Sequence, residues 1–215
     1  ALILLAAAAA NALEPAVETN HRIHQHLTAR RDTGCDCGGT GLCSHLPLVI
    51  INTGGQEIPG QLTDEVDGFA QRVYSTADDG GSTIQVEVKV IDNQDRNNHP
   101  GDPPAVETGS EFRVRGYSSR YYEKLSYLLK FSGEDGRHQD ISVMGMDAHF
   151  EWALHGPIID KTLIRNYMWY NISGEIMRYA PNCRFCEVML DGEYQGVYLM
   201  TETITDGENC RLNLS

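Results

Sequence analysis

The chain has 215 residues, with 17 Lys or Arg against 30 Asp or Glu, which gives a formal net charge of −13. This length is sufficient for a single domain with a full hydrophobic core. A protein this acidic is repelled by phosphate backbones and anionic membrane surfaces, so the charge argues against nucleic-acid binding.

The first twelve residues predict the end of a secretory signal peptide. Residues 1–10 are Ala, Leu and Ile without any charge, and Ala10-Asn11-Ala12 has the small-residue pattern that signal peptidases cleave. The apolar run is shorter than the roughly twenty residues that a membrane-spanning helix needs. No Met precedes it, so we expect a truncated signal peptide at 1–12, a secreted or cell-surface location, and no membrane span. The alternative is an Ala-rich buried helix.

Residues 13–45 have little apolar periodicity, which predicts an extended, partly disordered lead-in segment. Three histidines in it, at 21, 24 and 26, are more typical of a solvated tail than of a metal site, so we expect no metal. Cys35, Cys37 and Cys43 also lie in this segment. We expect these cysteines to tie the segment down.

Six cysteines in total suit an oxidising compartment, although sequence alone does not choose among their pairings. Cys183 and Cys186 lie in a predicted strand, where residues three apart face opposite ways. The two should therefore neither bond to each other nor bind one metal ion. Separate disulfides or buried thiols are the alternatives that remain.

The fold is predicted to begin at Leu46. Residues 48–51 are apolar and precede Gly54-Gly55, which predicts a buried strand. Residues 83–91 alternate between apolar and polar side chains, as expected of a half-exposed antiparallel strand. Residues 92–110 are rich in Asn, Asp, Pro and Gly, and they predict a loop without the ligand spacing of a calcium site.

Residues 112–131 predict two strands joined by a polar turn, with the strands at 112–115 and 124–131. The turn offers backbone amides and the hydroxyls of Ser118 and Ser119, and Lys124 opens the second strand. Such donors could surround phosphate oxygens, with the lysine as a point charge. Local composition alone favours the alternative, a polar hairpin with surface charges.

A helix and a hairpin follow. Asp160 can cap a helix N-terminus, and apolar residues at helical spacing then predict a helix that ends before Pro181. Residues 184–190 and 194–200 predict a hairpin across Asp191-Gly192, a pair that favours a type I′ turn.

Taken together, these motifs resemble the CotH kinase family of spore-coat-associated atypical protein kinases. The matching segments in chain order are 46–53, 115–119, 122–127, Trp152, 156–157, 160–166, 179–181 and 191–198. The resemblance covers about residues 46–213. It implies an α+β fold over 46–215, an antiparallel-sheet-rich, protein-kinase-like N-terminal lobe with one main helix, whose C-terminal lobe is absent from this chain.

The resemblance also implies a site for ATP and Mg²⁺, and phosphorylation of Ser or Thr in extracellular or coat proteins. The turn formed by Arg115, Gly116, Ser118 and Ser119 would cover the phosphates, Lys124 would bind them, and Glu202 would lie at the hinge beside the adenine. Glu175 is a possible partner of Lys124. We expect Asp160, Arg165 and Asn166 to be structural, as a helix cap, a buried ion pair and a hydrogen-bonding side chain.

Two departures from the family pattern bear on activity. The family usually has paired lysines, where this chain has Lys124-Leu125. The catalytic and metal-binding carboxylates of kinases follow the hinge and are expected beyond residue 215, so we expect this chain alone to be inactive. The alternatives are a non-catalytic secreted coat or adhesion protein that retains the fold, and an unrelated secreted β-rich binding module.

Overall fold

The structure is a computed structural model that describes residues 25, 35, 37, 41–66, 71–177 and 179–205. We number its strands and its helix in chain order. They are β1 (Leu48–Asn52), β2 (Leu62–Val66), β3 (Gln71–Tyr74), β4 (Ile84–Ile91), β5 (Val106–Arg115), β6 (Ser126–Ser132), β7 (Ile141–Val143), β8 (Met146–His149), β9 (Glu151–His155), α1 (Arg165–Ile176), β10 (Cys183–Leu190) and β11 (Glu193–Glu202).

Seven of the strands form a closed barrel in the order β1-β10-β11-β9-β6-β5-β4, with β4 pairing back onto β1. Neighbouring strands are antiparallel except for β1 and β10, which are parallel and match Leu48 with Glu187 and Ile51 with Leu190. The hairpins β2–β3 and β7–β8 lie outside the barrel. Closure leaves no edge strand in this sheet, so its backbone donors and acceptors pair internally.

The core fills the barrel interior. In β4 every second residue is buried from Ile84 to Val90, as strand geometry requires. The same alternation in the other strands supplies large side chains that are almost fully buried, including Phe112, Leu129, Phe131, Trp152, Tyr198 and Met200. Each such side chain contributes about 1.5–3 kcal/mol when it is removed from water.

The fold class expected from the family resemblance is wrong. The resemblance implies an antiparallel-sheet-rich, protein-kinase-like N-terminal lobe, whereas the structure has a closed barrel of mixed strand direction. The difference lies in β1, which pairs with β4 on one side and with β10 on the other. The parallel pair continues past the strands, because the Asp191 amide donates to the Ile51 carbonyl at 2.9 Å.

Several predicted strands are confirmed, and others have different bounds. The structure contains the buried strand at 48–51, the alternating strand β4, and the hairpin across Asp191 and Gly192, whose φ angles are 49° and 84°. The predicted loop at 92–110 ends early, because residues 106–110 pair with β4. Lys124 precedes β6 instead of opening it.

The helix begins later than predicted. Leu163 has a φ of 61°, which an α-helix cannot accommodate, so α1 begins at Arg165. Asp160 is therefore not the N-cap residue, which is Ile164, but its Oδ2 still accepts from the Arg165 amide at 2.8 Å. Arg165 was predicted to form a buried ion pair, but its side chain is 69% exposed and pairs with Asp160 at 3.5 Å. Among the residues of α1, which the structure describes in full, Tyr167 is the only buried one, so the predicted apolar face is largely exposed.

Cys183 and Cys186 are both buried and face opposite sides of the barrel wall, as predicted. Cys183 packs with Tyr167 outside the barrel, and Cys186 belongs to the interior core. None of the five cysteines in the described residues forms a disulfide. The expected signal peptide and most of the lead-in segment lie outside the described residues, as does Cys210. Within the described part, no helix is long and apolar enough to cross a membrane.

Candidate functional site

A groove of about 410 Å³ lies on the outer wall of the barrel, beside α1. We call it the outer groove. Its lining comes from β5, β6, β9 and β11, from α1, and from residues flanking β10 and β11; it comprises Arg113, Arg115, Leu128, Lys130, Glu151, Tyr170, Pro181, Thr201, Glu202, Thr203 and Ile204. A volume of this size is within the usual range of small-ligand sites.

Strand alternation places two arginines in the outer groove. Phe112 and Val114 of β5 point into the barrel and are fully buried. Arg113 and Arg115 therefore face outward on the same side of the strand. In the part of the chain that the structure describes, neither forms an ion pair, and Arg113 donates a long hydrogen bond of 3.5 Å to the Val114 carbonyl.

The other charged groups in the outer groove already have partners. Lys130 and Glu151 lie directly opposite each other on β6 and β9 and form an ion pair at 3.3 Å. Glu202 is buried, and its carboxylate accepts from the amide of Asn182 at 3.0 Å and from that residue's side chain at 3.3 Å. The outer groove thus presents net positive charge through Arg113 and Arg115.

The positive charge of Arg115 affects the pKa of His155, at the end of β9. Burial lowers the pKa of His155, and Arg115 lowers the pKa further, whereas Asp160 acts in the opposite direction. Burial and the Arg115 charge thus both disfavour the protonated form of the imidazole.

The turn between β5 and β6 is fixed by Arg120. Its Nε donates to the Gly116 carbonyl and its Nη1 to the Gly60 carbonyl, both at 2.6 Å. Gly116 has a φ of 109°, and a Cβ there would overlap the Ser119 hydroxyl. Ser118 and Ser119 then begin a short 3₁₀ helix at Ser118–Tyr121. A ligand would thus meet a turn that is already formed.

Lys124 reaches the end of the barrel, away from the outer groove. Its Nζ donates to the Gln195 carbonyl at 3.0 Å and lies 4.3 Å from the centroid of the Tyr198 ring. Burial lowers the pKa of Lys124. A Cβ on Gly196 would come within 3.1 Å of Nζ, so the glycine makes room for the lysine. Among the described residues, the contacts of Lys124 are thus with a carbonyl and an aromatic ring rather than with its possible partner Glu175.

The structure therefore brings together some of the residues predicted from the sequence. Arg115 and Glu202 both line the outer groove, and Gly116 follows Arg115 directly. Ser118, Ser119 and Lys124 are not part of its lining. Their roles as nucleotide ligands remain predictions.

The sequence reasoning did not identify Arg113, Lys130, Glu151 or Tyr170. Strand alternation could have signalled the first, because it placed Arg113 and Arg115 on one face. The pairing of Lys130 with Glu151 depends on the register between β6 and β9, which the sequence did not reveal.

The family described as CotH kinase protein matches residues 112–211, which span every residue that lines the outer groove. A search of curated proteins found no significant match.

Proposed function

Because residues 112–211 belong to the CotH kinase protein family, we propose that the outer groove binds ATP and that the intact protein is a protein kinase. Its substrates would be Ser or Thr residues of extracellular or coat proteins, and the protein would be secreted. The observation that carries the binding proposal is the pair of arginines, Arg113 and Arg115, beside an open volume of about 410 Å³.

Guanidinium groups suit phosphate because their planar N–H donors match two phosphate oxygens at once. Arg113 and Arg115 have no carboxylate partner within the described residues, so a phosphate need not displace one. Leu128, Tyr170 and Pro181 supply an apolar wall on the same groove. A site with an apolar wall and a few convergent charges suits a nucleotide, whose base is flat and whose phosphates are charged.

The outer groove suits Mg²⁺ less well than it suits a nucleotide. Mg²⁺ in kinases takes one or two carboxylates together with phosphate oxygens. The outer groove has two carboxylates among the described residues, but Glu151 is paired with Lys130, and Glu202 is bonded to Asn182. We therefore expect Mg²⁺ to enter on the phosphates of ATP, and we assign no transfer step to these residues.

The contacts that Lys124 and the two carboxylates of the outer groove already make also favour a second function. A non-catalytic coat or adhesion protein that retains the fold has no need of a free lysine or a metal-binding carboxylate. Lys124 is held by a carbonyl and an aromatic ring, and both carboxylates of the groove are engaged. A measurement of ATP binding distinguishes the protein kinase from the coat or adhesion protein.

The test is isothermal titration of ATP with Mg²⁺ into the 215-residue protein. Replacing both arginines (R113Q and R115Q) should weaken binding, since each hydrogen bond to a charged group contributes about 1.5–3 kcal/mol, or roughly tenfold to a hundredfold in Kd. Arg137→Gln is the control for the loss of one positive charge outside the groove, because that side chain is 88% exposed and lies between β6 and β7. Lys124→Ala should leave the affinity nearly unchanged.

Each alternative result has a clear meaning. A folded wild-type protein that binds no ATP would overturn the kinase proposal and leave the coat or adhesion function. Binding that survives the double arginine substitution but disappears in Lys124→Ala would move the nucleotide to the end of the barrel. Incorporation of phosphate into a Ser/Thr-containing acceptor protein then tests catalysis separately from binding.

A further inference from the structure

Three cysteines and a histidine converge beside the barrel, outside the outer groove. Cys35, Cys37 and Cys43 precede β1, and His99 lies in the connection between β4 and β5. Their sulfur and nitrogen atoms all lie within 4.8 Å of one another. The Sγ of Cys35 is 3.1 Å from Nε2 of His99.

These positions suit tetrahedral coordination by four protein ligands. Zn–S bonds of about 2.3 Å at tetrahedral angles place sulfurs about 3.8 Å apart. The four ligand atoms lie within 4.8 Å of one another, so only a small shortening of these distances is needed to bind zinc. Three cysteines with one histidine form one of the common ligand sets of structural zinc. With all four positions filled by the protein, the site would have no open place for a substrate.

Neighbouring groups orient the ligands. Oδ2 of Asp102 lies 3.3 Å from Nδ1 of His99 and also accepts from the backbone amide of His99 at 3.0 Å. Because a carboxylate only accepts, Nδ1 is the donor in this pair, and in the neutral imidazole Nε2 is then left with the lone pair, 3.1 Å from Sγ of Cys35. The side-chain amide of Asn97 donates to Sγ of Cys43 at 3.3 Å, as thiolate ligands often require.

The backbone brings the two segments together independently of the side chains. Ser44 and Asn98 exchange two backbone hydrogen bonds, of 3.0 and 2.7 Å. Ser44 follows the ligand Cys43 in the chain, and Asn98 precedes the ligand His99. The side chain of Asn98 also donates to the Leu46 carbonyl at 2.9 Å, which adds a further hydrogen bond between the two segments.

We propose that Cys35, Cys37, Cys43 and His99 bind one structural Zn²⁺ ion that fastens the segment before β1 to the connection between β4 and β5. On binding, the three thiols release their protons to solvent and ligate as thiolates, while His99 stays neutral. No group is oxidised or reduced. This site is separate from ATP binding and does not depend on it.

The competing interpretation is a disulfide among the three cysteines. A single disulfide would leave one cysteine over and would give no role to the orientation of His99 by Asp102. Only zinc uses all four groups. The two interpretations differ in metal content and in the number of free thiols, so they can be separated directly.

The experiment measures zinc in the full 215-residue protein, purified with reductant, by mass spectrometry of its metals. We expect one equivalent in the wild type, loss of zinc in Cys37→Ser, and full zinc in the control Cys183→Ala, whose cysteine lies in β10 and packs with Tyr167. Cobalt added to the zinc-free protein should give the visible and near-ultraviolet bands of tetrahedral thiolate coordination. Asp102→Asn, which keeps all four ligands, should weaken zinc binding by roughly 10- to 100-fold in competition with a chromophoric chelator.

The proposal fails if the reduced, folded wild type binds no zinc and gives no such cobalt bands. It also fails if peptide mapping finds a disulfide among Cys35, Cys37 and Cys43 in the native protein, or if Cys183→Ala loses the metal as completely as Cys37→Ser. An unchanged zinc affinity in Asp102→Asn would contradict the orienting role of that carboxylate.

Discussion

The carboxylate of Asp191 holds the end of the parallel pair between β1 and β10, where the barrel closes. Its Oδ1 accepts from the Thr53 amide at 2.7 Å, and its Oδ2 accepts from the Thr53 hydroxyl at 2.6 Å. Thr53 is only 1% exposed, so both of its donors lose water as alternative partners. Substitution of Asp191 therefore tests whether these two bonds stabilise closure.

The expected loss follows from the bonds that each substitution removes. A hydrogen bond to a charged group contributes about 1.5–3 kcal/mol, and the lower figure applies because Asp191 itself is exposed. Asp191→Asn keeps one acceptor and should lower the free energy of unfolding by about 1.5 kcal/mol. Asp191→Ala removes both bonds, at about 3 kcal/mol, and adds about 1 kcal/mol because its φ of 49° disfavours Ala.

Urea unfolding of the four proteins in a double-mutant cycle measures this contribution. Thr53→Val keeps the amide but removes the hydroxyl, which also accepts from the Gly55 amide at 3.1 Å, so the variant should lose about 1.5–3 kcal/mol on its own. Because both changes break the same bond, Asp191→Asn and Thr53→Val together should lose about 1 kcal/mol less than the sum of the single losses. Hydrogen exchange at the Asp191 amide, which donates to Ile51, should accelerate in both single variants.

The reasoning would be refuted by full additivity. If the two losses simply add, the hydroxyl and the carboxylate do not stabilise each other, and the closure depends on the strand pairing alone. A loss below about 0.5 kcal/mol in Asp191→Asn, which is the usual size for a surface substitution, would have the same meaning.

Two further predictions concern titrating groups. Because Arg115 contributes to the lowered pKa of His155, Arg115→Gln should raise that pKa, and bound ATP should raise it as well; an NMR titration of the imidazole measures both. A lowered folded-state pKa means that the unfolded chain binds more protons, so His155 should reduce stability as the pH falls below its ordinary value of 6.5, and an unchanged pKa in Arg115→Gln would contradict the proximity. Burial lowers the pKa of Lys124, so its surroundings disfavour the charge, and Lys124→Met should keep or raise the thermal midpoint. A clear drop in that midpoint would mean that the bond to the Gln195 carbonyl outweighs the cost of burial.

The strands that could be predicted are those whose signal is local. Strand β4 alternates strictly between apolar and polar residues, and its burial follows that alternation. The hairpin at 191–192 depends on two residues that tolerate positive φ, and both adopt it. In each case the residues that carry the signal are neighbours in the chain.

The features that could not be predicted depend on distant partners. Residues 106–110 have a loop-like composition, but they become strand because β4 lies beside them. Closure needs β1 to meet β10, which is more than a hundred residues away in the chain. The positive φ of Leu163 delays the helix, and neither the spacing of apolar residues nor the capping residue indicates it.

The lining of the outer groove could likewise be predicted from the sequence only in part. Alternation in β5 determines that Arg113 and Arg115 share a face, but not what that face contacts. The groove exists because β5, β6, β9 and β11 are neighbours in the barrel and α1 lies beside them. Arg115 and Glu202 could be predicted because the family resemblance includes them, whereas Lys130 and Tyr170 required the three-dimensional arrangement.

The arginine pair is difficult to explain as a stabilising feature. Two like charges at alternate positions of one strand repel each other, and side chains on this outer face add nothing to the interior core. Nearby Lys130 shows the usual solution, since Glu151 neutralises it across the strands. Arg113 and Arg115 have no such partner among the described residues, so their stability cost is not recovered within the fold. A cost of this kind is expected where a residue is kept for a ligand, and a phosphate bound in the outer groove would offset it.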